Sequence, residues 1–532
     1  MHDYVIVGAG SAGCVLANRL TEDPRTTVVL LEAGPSDRHL YVHVPAATVK
    51  LFKTERDWNY ATEPQAQAAG RTLYWPRGKM LGGSSSMNYS MYVRGHRADY
   101  DAWAGRGNPG WGFEDVVPYF KRGERNQRGA SAYHGHQGPL WVSDLRSVNP
   151  LTQAFVAGGA AVGLTQNPDV GGAEPEGIGL TQVTQKKGRR CSAAVAYLQP
   201  ARGRRNLEVI TGAHATRVLL EGRRAVGVSY RRDGTEHTAR AAREVVLSAG
   251  TVNSPQLLML SGIGPAGHLR EHGIPVVQDL PGVGENLQDH LMVPVICRCP
   301  EPVTMSNAET FANLLRWLIL GRGPYTSSGA EACAFVRSRP DLPAPDLELI
   351  LVTCIYRNHY LQPPPRDEHG FSIVVVLLQP KSAGRIRLRS ADPLAPPRIH
   401  ADYLSDPDEL RAAVDGITLA RRIVAARPLD RYRGDELDPG PACQGAPALE
   451  AYVRGHCESL YHPVGTCAMG CHPLAVVDAT LRVRGIEGLR VVDASIMPVI
   501  IRGHTNAPTM MIAEKAADLI KAPAPVSSAP VR

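Results

Sequence analysis

Lysine, aromatic residues and cysteine are all scarce in this 532-residue chain. Only nine lysines occur, so arginine supplies nearly all of the 58 basic residues that stand against 51 acidic ones, for a net charge of +7. The basic runs Lys186-Lys187-Gly188-Arg189-Arg190 and Arg202-Gly203-Arg204-Arg205 are short, and no aromatic ladder beside them offers stacking, which argues against nucleic acid as a partner. The ten cysteines include no CxxC pair, and Cys467 and Cys471 have no second pair to complete a zinc site; a disulfide scaffold and a metal centre are both excluded. Long apolar runs are also missing. No stretch reaches the roughly 18 residues needed to cross a bilayer, and the apolar segment Tyr4 to Val7 begins too early for a signal peptide. The expectation is a cytoplasmic protein with free thiols and no transmembrane segment, with peripheral membrane contact left open.

What is present is a globular composition: 43% hydrophobic, 20% charged, with 52 Gly and 42 Pro scattered among apolar runs. At about 150 residues per domain the length implies two or more domains. Residues 3 to 33 read as one unit: strand Asp3 to Val7, loop Gly8-Ala9-Gly10-Ser11-Ala12-Gly13, helix Cys14 to Leu20, and strand Thr27 to Leu31 ending at Glu32. A GxGxxG loop that follows a strand, opens a helix and is answered about 20 residues later by an acid at a strand end is the full dinucleotide-binding pattern. Gly8 permits the turn, Gly10 admits a pyrophosphate and Gly13 lets helix pack on strand. Ser11 and Ala12, within the loop, are assigned with them to the cofactor, and Glu32 can accept from a ribose diol. Glu32 disfavours a 2′-phosphate, and at this point NAD and FAD both remain.

Residues 75 to 95 form a small-residue stretch with hydroxyls and one amide, through Met80, Gly82, Gly83, Ser84, Asn88 and Met91. Such a loop lets backbone approach a flat or anionic ligand. Downstream, Glu244 to Gly250 reads as a buried strand, and Ser254 with Pro255 reads as the N-cap and first position of a helix ending near Gly262-Ile263-Gly264. Near the C-terminus lie Leu460-Tyr461-His462-Pro463-Val464-Gly465-Thr466 and Arg502-Gly503-His504-Thr505-Asn506-Ala507-Pro508-Thr509. Histidine suits proton transfer because its ordinary pKa of about 6.5 lies near working pH, which makes both segments candidates for a catalytic site.

These blocks, in this order, resemble the glucose-methanol-choline (GMC) flavoprotein oxidoreductases, and especially their choline dehydrogenase and bacterial alcohol dehydrogenase branch. The likeness runs from about Asp3 to Ile520. It implies an α/β fold with a Rossmann-like FAD-binding domain and an α+β substrate-binding domain built on an antiparallel sheet. The FAD domain is expected from 1–150, 190–295 and 455–525, and the substrate domain from 296–454 with part of 151–189; 526–532 is expected as a flexible tail. In the middle region Asp346 to Thr353, Phe371 to Gln379 and Ser382 to Leu388 read as strands, with a helix over Ser405 to Ala425.

The resemblance implies FAD rather than NAD, hydride transfer to flavin N5, His462 as the general base and Asn506 as the donor that orients the substrate oxygen. His504 is expected to line the pocket or cap locally. Asp493 and Ala494, at the end of the strand-like run Leu489 to Val492, are assigned to the cofactor, as are Val218, Pro508 and Thr509. The alternative for Asp493 is turn capping. Met87 stands where choline oxidase carries the histidine that attaches its flavin, so non-covalent FAD is expected. Glu331 resembles the glutamate of the choline-oxidase pocket, yet Ser327-Ser328-Gly329-Ala330 beside it has no aromatic residue. Tyr461 is the clear aromatic candidate. With aromatics at 6% of the chain, aliphatic, polyol or amino-sugar primary alcohols are favoured over choline, whose ammonium needs an aromatic cage. The electron acceptor is expected to be a quinone or other carrier, with oxygen as the alternative. A flavin-binding protein or photoenzyme without alcohol oxidation is a further reading, against which His462 and Asn506 together argue.

Overall fold

In the computed structural model, which describes residues 1–522, two sheets organise the chain. The segment 526–532 lies outside the described residues. In chain order the elements used below are β1 (His2–Val7), α1 (Ser11–Leu20), β2 (Val28–Glu32), β3 (Gly177–Leu180), β4 (Leu207–Thr211), β5 (His214–Glu221), β6 (Arg224–Arg232), β7 (Thr235–Leu247), α2 (Gly250–Leu260), β8 (Leu291–Arg298), β9 (Ala330–Val336), β10 (Leu347–Val352), β11 (Gly370–Leu377), α3 (Pro407–Ala425), β12 (Glu436–Asp438), β13 (Glu458–Ser459), β14 (Leu489–Val491) and α4 (Asn506–Lys521).

The first sheet has the order β4-β2-β1-β7-β6-β5, with β14 paired to β7. β4, β2, β1, the end of β7 and β14 pair in parallel, and β2 at their centre is buried along its whole length, which is why it reads as an unbroken Val-Val-Leu-Leu run. β7 does two jobs. Its last residues, Val245 to Leu247, pair in parallel with β1 and β14, while Thr235 to Arg240 pair antiparallel with β6. The C-terminal helix α4 packs on α1, and Glu514 ties the two together. Its carboxylate accepts from Arg19 (2.8 Å to each oxygen), from Arg122 Nε (2.7 Å) and from the Tyr197 hydroxyl (2.9 Å).

The second sheet, β12-β8-β11-β10-β9-β3 with β13 on β8, is antiparallel throughout. The expected helix is α3, capped by the Asp406 carboxylate at Asp408 N (2.8 Å) and packed against β11, β8 and β10. The expected third strand lies outside this sheet. Arg385–Arg387 pairs with Arg398–His400 in a separate ribbon.

α2 corrects the expected helix start. It begins at Gly250, so Ser254 and Pro255 lie inside it and Ser254 is not its N-cap. The cause is Asp493, which accepts from Gly250 N (2.9 Å) and Ser254 Oγ (2.6 Å) and so holds the earlier turn. Pro255 has no N–H for the carbonyl of Thr251. That carbonyl instead accepts from Thr466 Oγ1 at 2.6 Å.

Candidate active site

One cavity lies between the two sheets, and most of the residues singled out from the sequence line it: Gly8, Gly10, Ser11, Ala12, Glu32, Gly83, Ser84, Asn88, Met91, Tyr461, His462, Asp493, Ala494, Asn506 and Thr509. At its cofactor end, Gly8 has a φ of 95°, and a Cβ there would meet Ser248 O at 2.5 Å. A Cβ at Gly10 would meet nothing nearer than Ser248 O at 3.9 Å, so the loop faces open space where a pyrophosphate approaches the start of α1. Glu32 accepts from Ala9 N (2.9 Å) and Gly34 N (2.8 Å), which leaves lone pairs for a ribose diol. Burial pushes its carboxyl up to about 7, against those two N–H groups.

Six of the assigned residues do not line the cavity. Gly13 serves packing alone, since a Cβ there would meet Gly8 O at 1.9 Å. Met80 is buried with Val42, Leu51 and Met87, and Gly82 donates its N–H to Ala9 O (2.7 Å). Val218 is buried on β5 with its N–H bonded to Ser261 Oγ (2.8 Å); Ala213, His214 and Ala215 line the cavity in its place. Pro508 is buried within α4. Glu331 is the clearest correction. Its carboxylate turns away from the cavity and accepts from Asn149 N (2.8 Å), Thr152 Oγ1 (2.8 Å) and Ser327 Oγ (2.5 Å), at the start of the helix Pro150–Ala161. Asp493 lines the cavity and also caps, accepting from Ser495 N at 2.8 Å, so the capping alternative holds for its carboxylate.

His462 is fixed through its backbone. Its N–H donates to Asp289 Oδ1 (2.7 Å), the carbonyl of Pro463 accepts from Thr251 Oγ1 (2.7 Å), and the carbonyl of Tyr461 accepts from Arg77 Nη2 (2.5 Å). Tyr461 itself sits at φ 68°, a rare backbone state for a bulky residue, and this turn delivers His462. The His462 Nδ1 lies 2.9 Å from His290 Nδ1. His504, whose ring centroid is 5.0 Å from that of His462, is held by Glu348 at 3.1 Å from Nε2 to each oxygen. Burial first, then the neighbouring His504, His290 and Arg77, push the His462 pKa well below its ordinary value. Burial pushes His290 down to about 3. Both rings are therefore neutral, and a neutral imidazole is a proton acceptor. Asn506, at the first turn of α4, accepts from Ser11 Oγ at 2.8 Å through its Oδ1. Its amide N–H₂ is left to donate.

His290, Asp289, Arg77, Glu348 and Tyr356 escaped the sequence reading. The signal for the first two was Asn286-Leu287-Gln288-Asp289-His290, a polar run set directly against the buried strand β8. Tyr461 is not the only aromatic at the site, as Phe52, Tyr89 and Tyr356 line the same cavity. The Tyr356 hydroxyl bonds that of Tyr461 (2.7 Å).

A cofactor cradle joined to a buried histidine and an asparagine on a helix start is what the GMC sequence pattern implies, and the pattern holds across the chain. Family descriptions for GMC oxidoreductases match residues 2–292 and 380–513. The chain belongs to the GMC oxidoreductase family. It is 45% identical to the alcohol dehydrogenase [acceptor] of Pseudomonas putida, over 98% of this chain and 96% of that one. It is also 45% identical to the mitochondrial choline dehydrogenase of Mus musculus, over 98% and 89%. Among solved structures it resembles pyridoxine 4-oxidase from Mesorbium loti, with a TM-score of 0.90, 32% identity and coverage of 97% and 99%. This GMC protein is an FAD enzyme acting on CH–OH donors, and the open cradle at Gly10 with the free lone pairs of Glu32 fits that cofactor. No helix among the described residues is long and apolar enough to cross a membrane.

Proposed function

We propose that the protein oxidises a primary alcohol with an apolar body to its aldehyde, with His462 as general base, Asn506 orienting the substrate oxygen and a quinone or similar carrier as electron acceptor. The contact between His462 and His290 carries this reading. The His290 Nε2 is buried and has no hydrogen-bond partner among the described residues, while its Nδ1 faces His462. In the tautomer with the proton on Nε2, His290 Nδ1 is an acceptor. His462 then donates from Nδ1 and keeps the lone pair on Nε2, the atom that takes the alcohol proton. Asn506 donates to the substrate oxygen without competing for that proton. The N-terminus of α4 adds a partial positive charge beside it. FAD, when bound, supplies the two-electron acceptor. Met87 lines the cavity, and its thioether offers no nitrogen for a flavin linkage, so the cofactor is held without a covalent bond.

The substrate end is walled by Met91, Met292, Ile350, Val352, Val374 and Leu460. Among the described residues the only carboxylates lining the cavity, Glu32 and Asp493, stand at the cofactor end. A substrate ammonium would find no anion there, and the apolar walls offer a polyol's extra hydroxyls no partner, which supports an aliphatic alcohol over choline, an amino sugar or a polyol. The name of the Pseudomonas putida relative supports a dehydrogenase.

Flavin reduction under anaerobic conditions by a series of 1-alkanols, choline and sugar alcohols tests the substrate. Faster reduction by the alkanols is expected, and choline turning over far above them would refute the preference. Dye reduction set against oxygen uptake tests the acceptor, and yellow colour remaining in the pellet after acid precipitation would overturn non-covalent binding.

A further inference from the structure

The helix Phe311–Leu320 carries its apolar stripe on the wrong side for a soluble surface helix. Phe311, Leu315, Leu318 and Ile319, spaced i, i+4, i+7 and i+8, share one face. They are 73%, 39%, 46% and 75% exposed, and the neighbouring Leu320 is 58% exposed. Five of the ten exposed large apolar side chains among the described residues thus lie on this one ten-residue helix. The helix is not a frayed end. Thr310 caps it at Asn313 N (3.1 Å), Gly321 closes it at φ 58°, and Trp317 anchors it from beneath by donating to Gly188 O (2.8 Å). Exposed contiguous apolar surface of this kind marks a docking site.

The rim states what docks. The basic run that gave no function at the sequence level lies here: Lys187 O approaches Gly321, Arg189 stacks 4.6 Å from the Trp317 ring, and Arg146 donates to Gly321 O at 2.7 Å. Arg146, Lys186, Lys187, Arg189, Arg316 and Arg322 are all exposed around this helix. The acid beside its N-terminus, Glu309, is paired with Lys50 (2.6 Å). Lys50 sits over Tyr41, whose neighbour Leu40 is 50% exposed and extends the apolar surface.

We propose that this face docks on an anionic phospholipid bilayer, with the helix lying in the plane of the interface, its apolar stripe in the acyl boundary and the cations among the headgroups. Ten residues span about 15 Å, half of a hydrocarbon core, so the helix lies on the membrane and does not cross it. A second copy of the chain is a poorer occupant, because it would bring both cation clusters into one interface. The segment that carries Leu40, Tyr41 and Lys50 continues into Phe52, which lines the active-site cavity. Docking therefore sets the bilayer beside the wall of the site.

Co-sedimentation of the purified holoenzyme with vesicles of phosphatidylcholine, with and without about 30 mol % phosphatidylglycerol, tests this. Binding is expected to the anionic vesicles and to weaken with salt. Ile319→Glu and Leu318→Ser are each expected to weaken it by about tenfold or more while flavin absorbance and dye-linked alcohol turnover stay at wild-type levels. Lys186→Glu with Lys187→Glu should weaken binding and flatten its salt dependence. The proposal is overturned if wild type stays in the supernatant with anionic vesicles, or if Ile319→Glu binds as well as wild type. It is equally overturned if the chain ignores vesicles and forms a dimer that Ile319→Glu breaks, which would make a second copy the occupant. Vesicle binding is read without turnover, so its failure is separate from any failure of the alcohol reading.

Discussion

The cofactor end of the cavity and its substrate end are built on opposite principles. At the cofactor end the working groups are backbone and short side chains on contiguous loops: Gly8 to Ala12, Gly83 to Asn88, and the starts of α1 and α4. At the substrate end they are single side chains from separate strands, Met292 on β8, Ile350 and Val352 on β10, and Val374 on β11. A ligand that is held through backbone demands glycine at fixed spacing, whereas a ligand held by apolar walls demands only volume. The first end is constrained by covalent neighbours and the second by the fold.

The sharpest break of that contrast is at Gly10. Gly10→Val places carbon in the open space above the loop, and we expect a folded protein without flavin: absorbance near about 450 nm lost, far-UV circular dichroism kept. His462→Ala should leave the flavin bound and lower kcat by about 10²- to 10⁴-fold, the usual worth of a general base. Steady-state rates with a measured flavin content check this, and a variant with full turnover would falsify the mechanism.

The sequence singles out both of these residues, and both line the cavity. The fingerprint loop is a contiguous string, and His462 sits in a local motif. Glu331 was misread because its place in the chain says nothing of which face of β9 it occupies; Ala330 lines the cavity, and the next residue points the other way, as strand geometry requires. His290 and Glu348 were missed because their roles come from contacts across 172 and 156 residues. The fold class was readable for the same reason as the fingerprint, through periodic runs, while the early start of α2 was hidden because Asp493, 243 residues from Gly250, imposes it.

His290 offers a smaller and more selective test of the substrate end. His290→Ala removes the acceptor at His462 Nδ1 and should cost up to about 100-fold in kcat through loss of the base's orientation, with flavin content unchanged. His290→Asn, whose Oδ1 again accepts, should recover part of that loss. A structural role alone would not be rescued by asparagine.

The mildest effect belongs to Glu32. In the free protein its carboxyl titrates at about 7, raised by burial. A ribose diol donates to the ionised form, so binding favours the carboxylate. FAD affinity should be level above pH 7 and fall as pH drops below it, by up to about tenfold per pH unit. Titration of apoprotein with FAD across pH 5 to 8, taken as a rough working range, checks the slope. Glu32→Gln should give weaker and pH-independent binding.

Segments far apart in the chain meet beside the site: Ser11 bonds Asn506, Arg19 bonds Glu514, and β14 pairs with β7, which pairs with β1. During synthesis, therefore, the nucleotide-binding loop stands without its closing strand, its packing helix or His462 until those later segments are made, Asn506 coming 495 residues after Ser11. Flavin capture is a late event in the life of this protein. A chain that stops before α4 keeps the cradle's sequence but lacks the helix that packs on α1 and the Asn506 that accepts from Ser11.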